Sequence, residues 1–219
     1  PYRNACPGLC IRCRIGSFCR HYEEYGYPGK DRGTDPIETP SEMIEYKVSR
    51  AGEEDMQLVH NMAEIVFRHT YRDILSAEQM EYMMDWMYSL PNLRRQLDEG
   101  HIYHIAYDGE RPCGYVSVQP EGIAEDGMPL YHLQNIYVLP SEQGKGLGKI
   151  LFRTAVAVVR SMTPKLPARM ELNVNRNNPA VGFYRHLGMD ILREGDFHIG
   201  NGFYMNDYIM GLEIKADLP

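Results

Sequence analysis

The stretch that most constrains this chain is residues 131–148, YHLQNIYVLPSEQGKGLG. Leu133, Ile136, Val138 and Leu139 mark an apolar strand that Pro140 stops. A short polar turn follows. Gly144, Gly146 and Gly148 then lead into a helix carrying Leu147, Ile150, Leu151, Ala155 and Val158 on one face. Glycine lets a backbone pass close to a ligand with its N–H groups unobstructed. A helix beginning there adds orphan N–H donors and the positive end of its dipole. Lys145 and Lys149 contribute mobile positive charge, so the whole reads as a cradle for a pyrophosphate. It is not a Walker loop, because no Gly-Lys-Ser/Thr stands at the required spacing. It is not the dinucleotide fingerprint either, since the last glycine spacing and an acidic ribose ligand are missing.

Composition sets looser bounds. The 219 residues suit one sizeable domain with a small appendage, and 43% hydrophobic residues supply an ordinary core. A formal charge of −7 argues against non-specific nucleic-acid binding and mildly favours cationic partners. No apolar run approaches the roughly 20 residues of a membrane span. No signal-peptide pattern opens the chain, so no membrane association and a cytoplasmic location are the expectations.

Residues 1–40 differ from everything after them. Cys6, Cys10, Cys13 and Cys19 fall at C-x3-C-x2-C-x5-C, interleaved with Arg12, Arg14 and Arg20. A Gly/Pro/Tyr-rich connector then leads to a linker ending near Ser41. Four sulfurs without a core-sized apolar set point to a staple. Tetrahedral zinc on four thiolates is the first candidate. An iron–sulfur cluster on Cys6, Cys10 and Cys13 is an alternative, and disulfides or unliganded thiols are others. An interaction module with no chemistry of its own fits the arm best. The expected division is a Cys-rich arm and linker at 1–40 and the main domain at 41–219.

The main domain opens with an expected strand at residues 44–48, where Ile44, Tyr46 and Val48 alternate, and a helix over 53–69. Ser76 and Gln79 have the spacing of a capping box. Beyond them Met80, Met83, Met84 and Met87 form a stripe that reads as core. Pro91 restarts a helix and Gly100 ends it. A hairpin follows, with strands at 102–107 and 114–118, and Cys113 reads as a small buried residue. Glu121, Glu125 and Asp126 are expected in an acidic loop. After the glycine loop come an alternating strand around Met170, Leu172 and Val174, a short helix over 178–187, and two strands joined by Gly200-Asn201-Gly202.

The segment NNPAVGFYRHLGM, residues 177–189, matches the pattern N-x-x-A-x-x-[LF]-Y-x-x-x-G-[FM]. Together with Gln143-x-x-Gly146-x-Gly148 it makes two motifs, in order, that resemble the GNAT N-acetyltransferase superfamily. The region around 67–84 and the ending GNGFYMNDYIM are similar to the bacterial spermidine/spermine acetyltransferase branch, which normally lacks a Cys-rich arm. The resemblance implies an α+β fold with a central mixed, mostly antiparallel twisted sheet flanked by helices. It implies acetyl-CoA as cosubstrate and direct acetyl transfer to a primary amine, with polyamines first and peptide N-termini or lysines next. A non-catalytic acyl-CoA-binding module is the competing class. A homodimer is a family-based expectation.

The same resemblance distributes four tasks. The backbone of Gln143, Gly144, Lys145, Gly146, Leu147 and Gly148 holds the pyrophosphate, assisted by Lys145 and Lys149. Main-chain groups near Ile136 and Val138, with the Asn177 side chain, hold pantetheine; Asn177 also suits a helix N-cap. Tyr184 is the acid for the departing thiolate, where its alternative is a core tyrosine. For the base, His132 and Glu171 are both candidates. His132 reads equally as an ordinary strand-edge or satisfied histidine, and Glu171 as a solvated strand residue.

Overall fold

The computed structural model describes residues 45–216. The expected cysteine site and the boundary near residue 40 lie outside the described residues. The chain runs β1 (Lys47–Arg50), α1 (Met56–Tyr71), α2 (Ala77–Tyr88), α3 (Leu90–Asp98), β2 (Ile102–Asp108), β3 (Arg111–Ile123) and β4 (Pro129–Val138). It continues through α4 (Leu147–Met162), β5 (Ala168–Asn175), α5 (Ala180–His186), β6 (Asp190–Gly200) and β7 (Phe203–Ile214). One seven-stranded sheet has the order β1-β2-β3-β4-β5-β7-β6, in which β4 and β5 are parallel and every other pair is antiparallel. This is the mixed, mostly antiparallel sheet with flanking helices that the sequence implies.

The helices form where apolar side chains recur at helical spacing. In α1, Met56, Val59, Met62, Ala63, Val66 and Phe67 are buried on one stripe. In α2, Met83, Met84 and Met87 are buried, so the methionine stripe is core. The ring of Tyr88 closes the same layer against Phe67 and Tyr137.

Local differences have physical causes. Among the described residues the first strand begins at Lys47, and Tyr46 before it is buried and donates its hydroxyl to Glu142, 3.0 Å away. Only half of the capping box forms. Ser76 Oγ accepts from the Gln79 amide at 3.1 Å, whereas the Gln79 side chain donates to the Tyr204 carbonyl at 3.0 Å and so ties α2 to β7. β3 continues to Ile123, which carries Glu121 out of the expected loop and onto the sheet.

Two backbone features fix how β3 and β4 meet. Gly114 faces Val138, and a Cβ at Gly114 would stand 2.2 Å from the Tyr137 carbonyl oxygen, so only glycine permits this approach. Further along, Val118 pairs with Leu133 but Ser117 pairs with Asn135, leaving Gln134 as the extra residue of a bulge. The bulge reverses the alternation of β4. Asn135 and Tyr137 thereby face Tyr88, whose hydroxyl donates to Asn135 Oδ1 at 2.9 Å, while Leu133 and Ile136 face the other way.

Candidate active site

The site is built where β4 and β5 part. They pair only through Leu130↔Arg169, Tyr131↔Met170 and His132↔Glu171. Yet β4 runs on to Val138 and β5 to Asn175. Among the described residues, the β5-facing edge of β4 beyond His132 is therefore free of strand pairing. Ile136 and Val138 lie on that length.

The glycine loop closes the far end of the split. Gly144 and Gly146 have φ of +83° and +86°, a conformation that side chains resist. Gly146 is the N-cap of α4, no side chain caps that helix, and a Cβ there would meet nothing within 4 Å. Gly148 belongs to the first buried turn, after Leu147. The Gln143 side chain folds back and donates to the Val138 carbonyl at 3.2 Å, joining loop to strand. The Nζ of Lys145 sits 3.1 Å from a carboxylate oxygen of Glu142. Lys149 instead heads a groove of about 890 Å³ that follows α4, where Arg153, Arg160 and His186 also lie.

On one face of the sheet a polar belt crosses the split. Gln119, His132 and Glu171 are register partners on β3, β4 and β5, and so point the same way. Asn173 and Asn175 continue the belt along β5, and Asp207 joins it opposite Asn175 on β7. Glu121 brings a carboxylate oxygen within 3.5 Å of His132 Nδ1. Burial works against the Glu121 charge, but His132 and Arg193 outweigh it and hold its carboxyl below the ordinary value. His132 Nε2 is buried and has no hydrogen-bond partner among the described residues. Beside it, burial and then the neighbouring His132 push the His101 imidazole down to about 4, so His101 is neutral at physiological pH.

The two base candidates are thus in unlike settings. Glu171 is not a solvated strand residue: its side chain is 6% exposed and accepts from Arg193 at 2.8 Å. His132 keeps a ring nitrogen to spare.

Asp207 was not singled out by the sequence. Its Oδ1 is buried without a hydrogen-bond partner among the described residues, and its other oxygen is 3.5 Å from Asn173 Nδ2. Burial pushes its carboxyl up to about 7, against Asn173, Arg176 and His132, which favour the charge. A carboxyl raised on folding binds more protons folded than unfolded, so stability falls as pH rises from about 4 to about 7. Asp207→Asn should therefore gain of order 2–4 kcal/mol over wild type at pH 8 and nothing near pH 4. Urea unfolding of both proteins at the two pH values measures it; an equal effect at both would assign the change to packing instead.

Tyr184 lies on α5, fully buried between Phe152 and Phe183, with ring centroids 6.5 and 5.2 Å away. Its contact with Phe152 places it against α4. The cap of α5 falls to Asn178, not Asn177: buried Asn178 Oδ1 accepts from the Ala180 amide at 2.9 Å. Asn177 is exposed, and its backbone amide donates to Asn175 Oδ1 at 3.0 Å. Buried Cys113 donates to the Arg111 carbonyl at 3.3 Å, and burial raises its thiol, which suits the packing role. Among the described residues no group of three or more His, Cys, Asp or Glu is arranged to hold a metal ion. No described helix is long and apolar enough to cross a membrane.

A strand pair that splits beside a glycine loop and a buried tyrosine defines an acyl-CoA-type transferase fold. The Acetyltransferase (GNAT) family matches residues 67–189, and the chain belongs to that family. Among curated proteins, the peptidyl-lysine N-acetyltransferase YjaB of Salmonella typhimurium is 26% identical over 96 residues, 43% of this chain and 54% of that protein. The match thus spans about half the length of that relative. Among solved structures, the PaiA N-acetyltransferase of Thermoplasma acidophilum in complex with coenzyme A aligns with a TM-score of 0.59 and 21% identity, over 76% of this chain and 98% of that one. The ribosomal-protein-S18-alanine N-acetyltransferase of Escherichia coli aligns with a TM-score of 0.56 and 15% identity, over 79% and 96%. At these identities the structures share the fold.

Proposed function

We propose that this protein is an acetyl-CoA-dependent N-acetyltransferase that passes the acetyl group directly to a primary amine. The observation that carries this is the early end of β4–β5 pairing at His132↔Glu171, with the unpartnered Nε2 of His132 at that point. Main-chain groups of Ile136 and Val138 hold pantetheine as an added strand, with Asn177 contributing its side chain. The amides of residues 143–148 take the pyrophosphate at the start of α4. Lys149 and Arg153 lead the adenosine 3′-phosphate into the groove along α4.

In the transfer, the amine nitrogen bonds to the thioester carbonyl carbon and the carbon–sulfur bond breaks. His132 Nε2 takes the proton from the amine, with the Glu121 carboxylate steadying its imidazolium through Nδ1. Tyr184 gives its phenolic proton to the leaving CoA thiolate. Glu171, already committed to Arg193, frames His132 rather than acting as base.

Polyamine-like cations are the first acceptors proposed. Glu121, Glu171 and Asp207 line the belt, and the chain is acidic at −7. A lysine side chain is the second, favoured by the likeness to a peptidyl-lysine acetyltransferase. The test is release of CoA thiol from acetyl-CoA with spermidine, spermine, a lysine peptide and an aminoglycoside. Saturable release with one of the two polyamines is expected. Release with the peptide alone moves the acceptor to lysine, and CoA binding without release from any amine favours a non-catalytic acyl-CoA module.

A further inference from the structure

Beneath the glycine loop lies a negative charge in a place meant for anions. Glu142 is 1% exposed, directly before Gln143 in the loop. Its carboxylate accepts from Arg111 at 2.7 Å, from Lys145 at 3.1 Å and from the Tyr46 hydroxyl at 3.0 Å. Arg111 in turn reaches Asp108 at 2.7 Å. Burial alone would push the Glu142 carboxyl up, but these donors overcome it and hold it at about 2. The carboxylate is therefore charged at every working pH, and it joins β1's approach, the β2–β3 turn and the loop through one buried point.

A buried anion so close to a pyrophosphate weakens binding unless it has another task. Its charge is already met by two cations, one of which is itself shared with Asp108. What remains is geometry: Lys145 is fixed rather than free, and the loop's backbone is anchored while Gly144 and Gly146 hold left-handed conformations.

We propose that Glu142 is a positioning residue for the cosubstrate. It locks the pyrophosphate loop and the Lys145 ammonium in their binding geometry through Arg111 and Tyr46. This rests on the acetyl-CoA reading of the site and gives it a part that neither motif contains.

Electrostatics and positioning predict opposite signs. Removing the carboxylate charge frees two cations near an anion, so a purely electrostatic role would tighten CoA binding in Glu142→Gln. A positioning role weakens it. The experiment is calorimetric titration of CoA into wild type, E142Q and Y46F, with kcat and KM measured for acetyl-CoA. About a tenfold rise in the CoA dissociation constant is expected for E142Q at unchanged stoichiometry, with KM rising more than kcat falls. Y46F keeps the charge and loses one donor, and a rise of about threefold is expected; it serves alone if E142Q does not fold. Unchanged or tighter binding in the folded variants overturns the inference, as does a fall in stoichiometry at constant affinity, which marks a general loss of fold. No CoA binding by wild type would instead remove the cosubstrate reading, and this inference with it.

Discussion

Replacing Tyr184 with phenylalanine is expected to lower turnover by about a hundredfold while leaving acetyl-CoA affinity within about twofold. The phenyl ring keeps the contacts with Phe152 and Phe183, so packing is conserved and only the hydroxyl is lost. Without that proton the thiolate leaves uncompensated, a cost confined to the transition state, which lowers kcat rather than binding. Steady-state kinetics with saturating amine, paired with calorimetric CoA binding, separate the two. Near-normal kcat in Tyr184→Phe would return this tyrosine to the core.

The second large effect is expected at His132. His132→Gln should reduce kcat/KM for the amine by about thirty- to a hundredfold at pH 7. Its signature is the way the deficit changes with pH. An alkylammonium loses its proton near pH 10 on its own, so the free amine in solution rises about tenfold per pH unit below that point. A variant lacking the base is rescued progressively on that climb, and the ratio of wild type to variant should shrink from pH 7 to pH 9.5. A ratio constant over that range would mean that the substitution disturbs packing instead. The comparison is informative because Gln119, Glu121, His101 and Glu171 remain in place around position 132.

Much of the architecture was legible in the sequence because it is periodic or stereochemical. The spacing of apolar residues foretells α1, α2 and α4, and the glycines at 144 and 146 stand where the backbone is left-handed. What was not legible is long-range. Nothing near Glu142 in the sequence announces that Tyr46 and Arg111 will meet it, since one arrives from the residue before β1 and the other from the start of β3. Asp207 and Arg193 acquire their roles only because β7 folds back beside β5 and β6 pairs with β7 on its far side. The Gln134 bulge is equally hidden, because an alternating pattern does not reveal which residue will be left over. Asn177 and Asn178 illustrate a finer limit. Either asparagine suits a cap, and only the direction of the chain after Asn175 makes the second one turn inward.

The short β4–β5 pairing has a mechanical consequence. Two panels, β1 to β4 and β5 to β7, share three strand residue pairs and are further bridged by the Asp126–Arg169 ion pair and by helix packing. Such a sheet is seamed rather than continuous, and its seam is weakest where the chemistry is placed. An occupant lying along the exposed edge of β4 would act as a stitch, lending the two panels hydrogen bonds that the polypeptide does not make for itself. Rigidity would then be acquired with the cosubstrate and surrendered with the product, so that each turnover tightens and loosens the same seam.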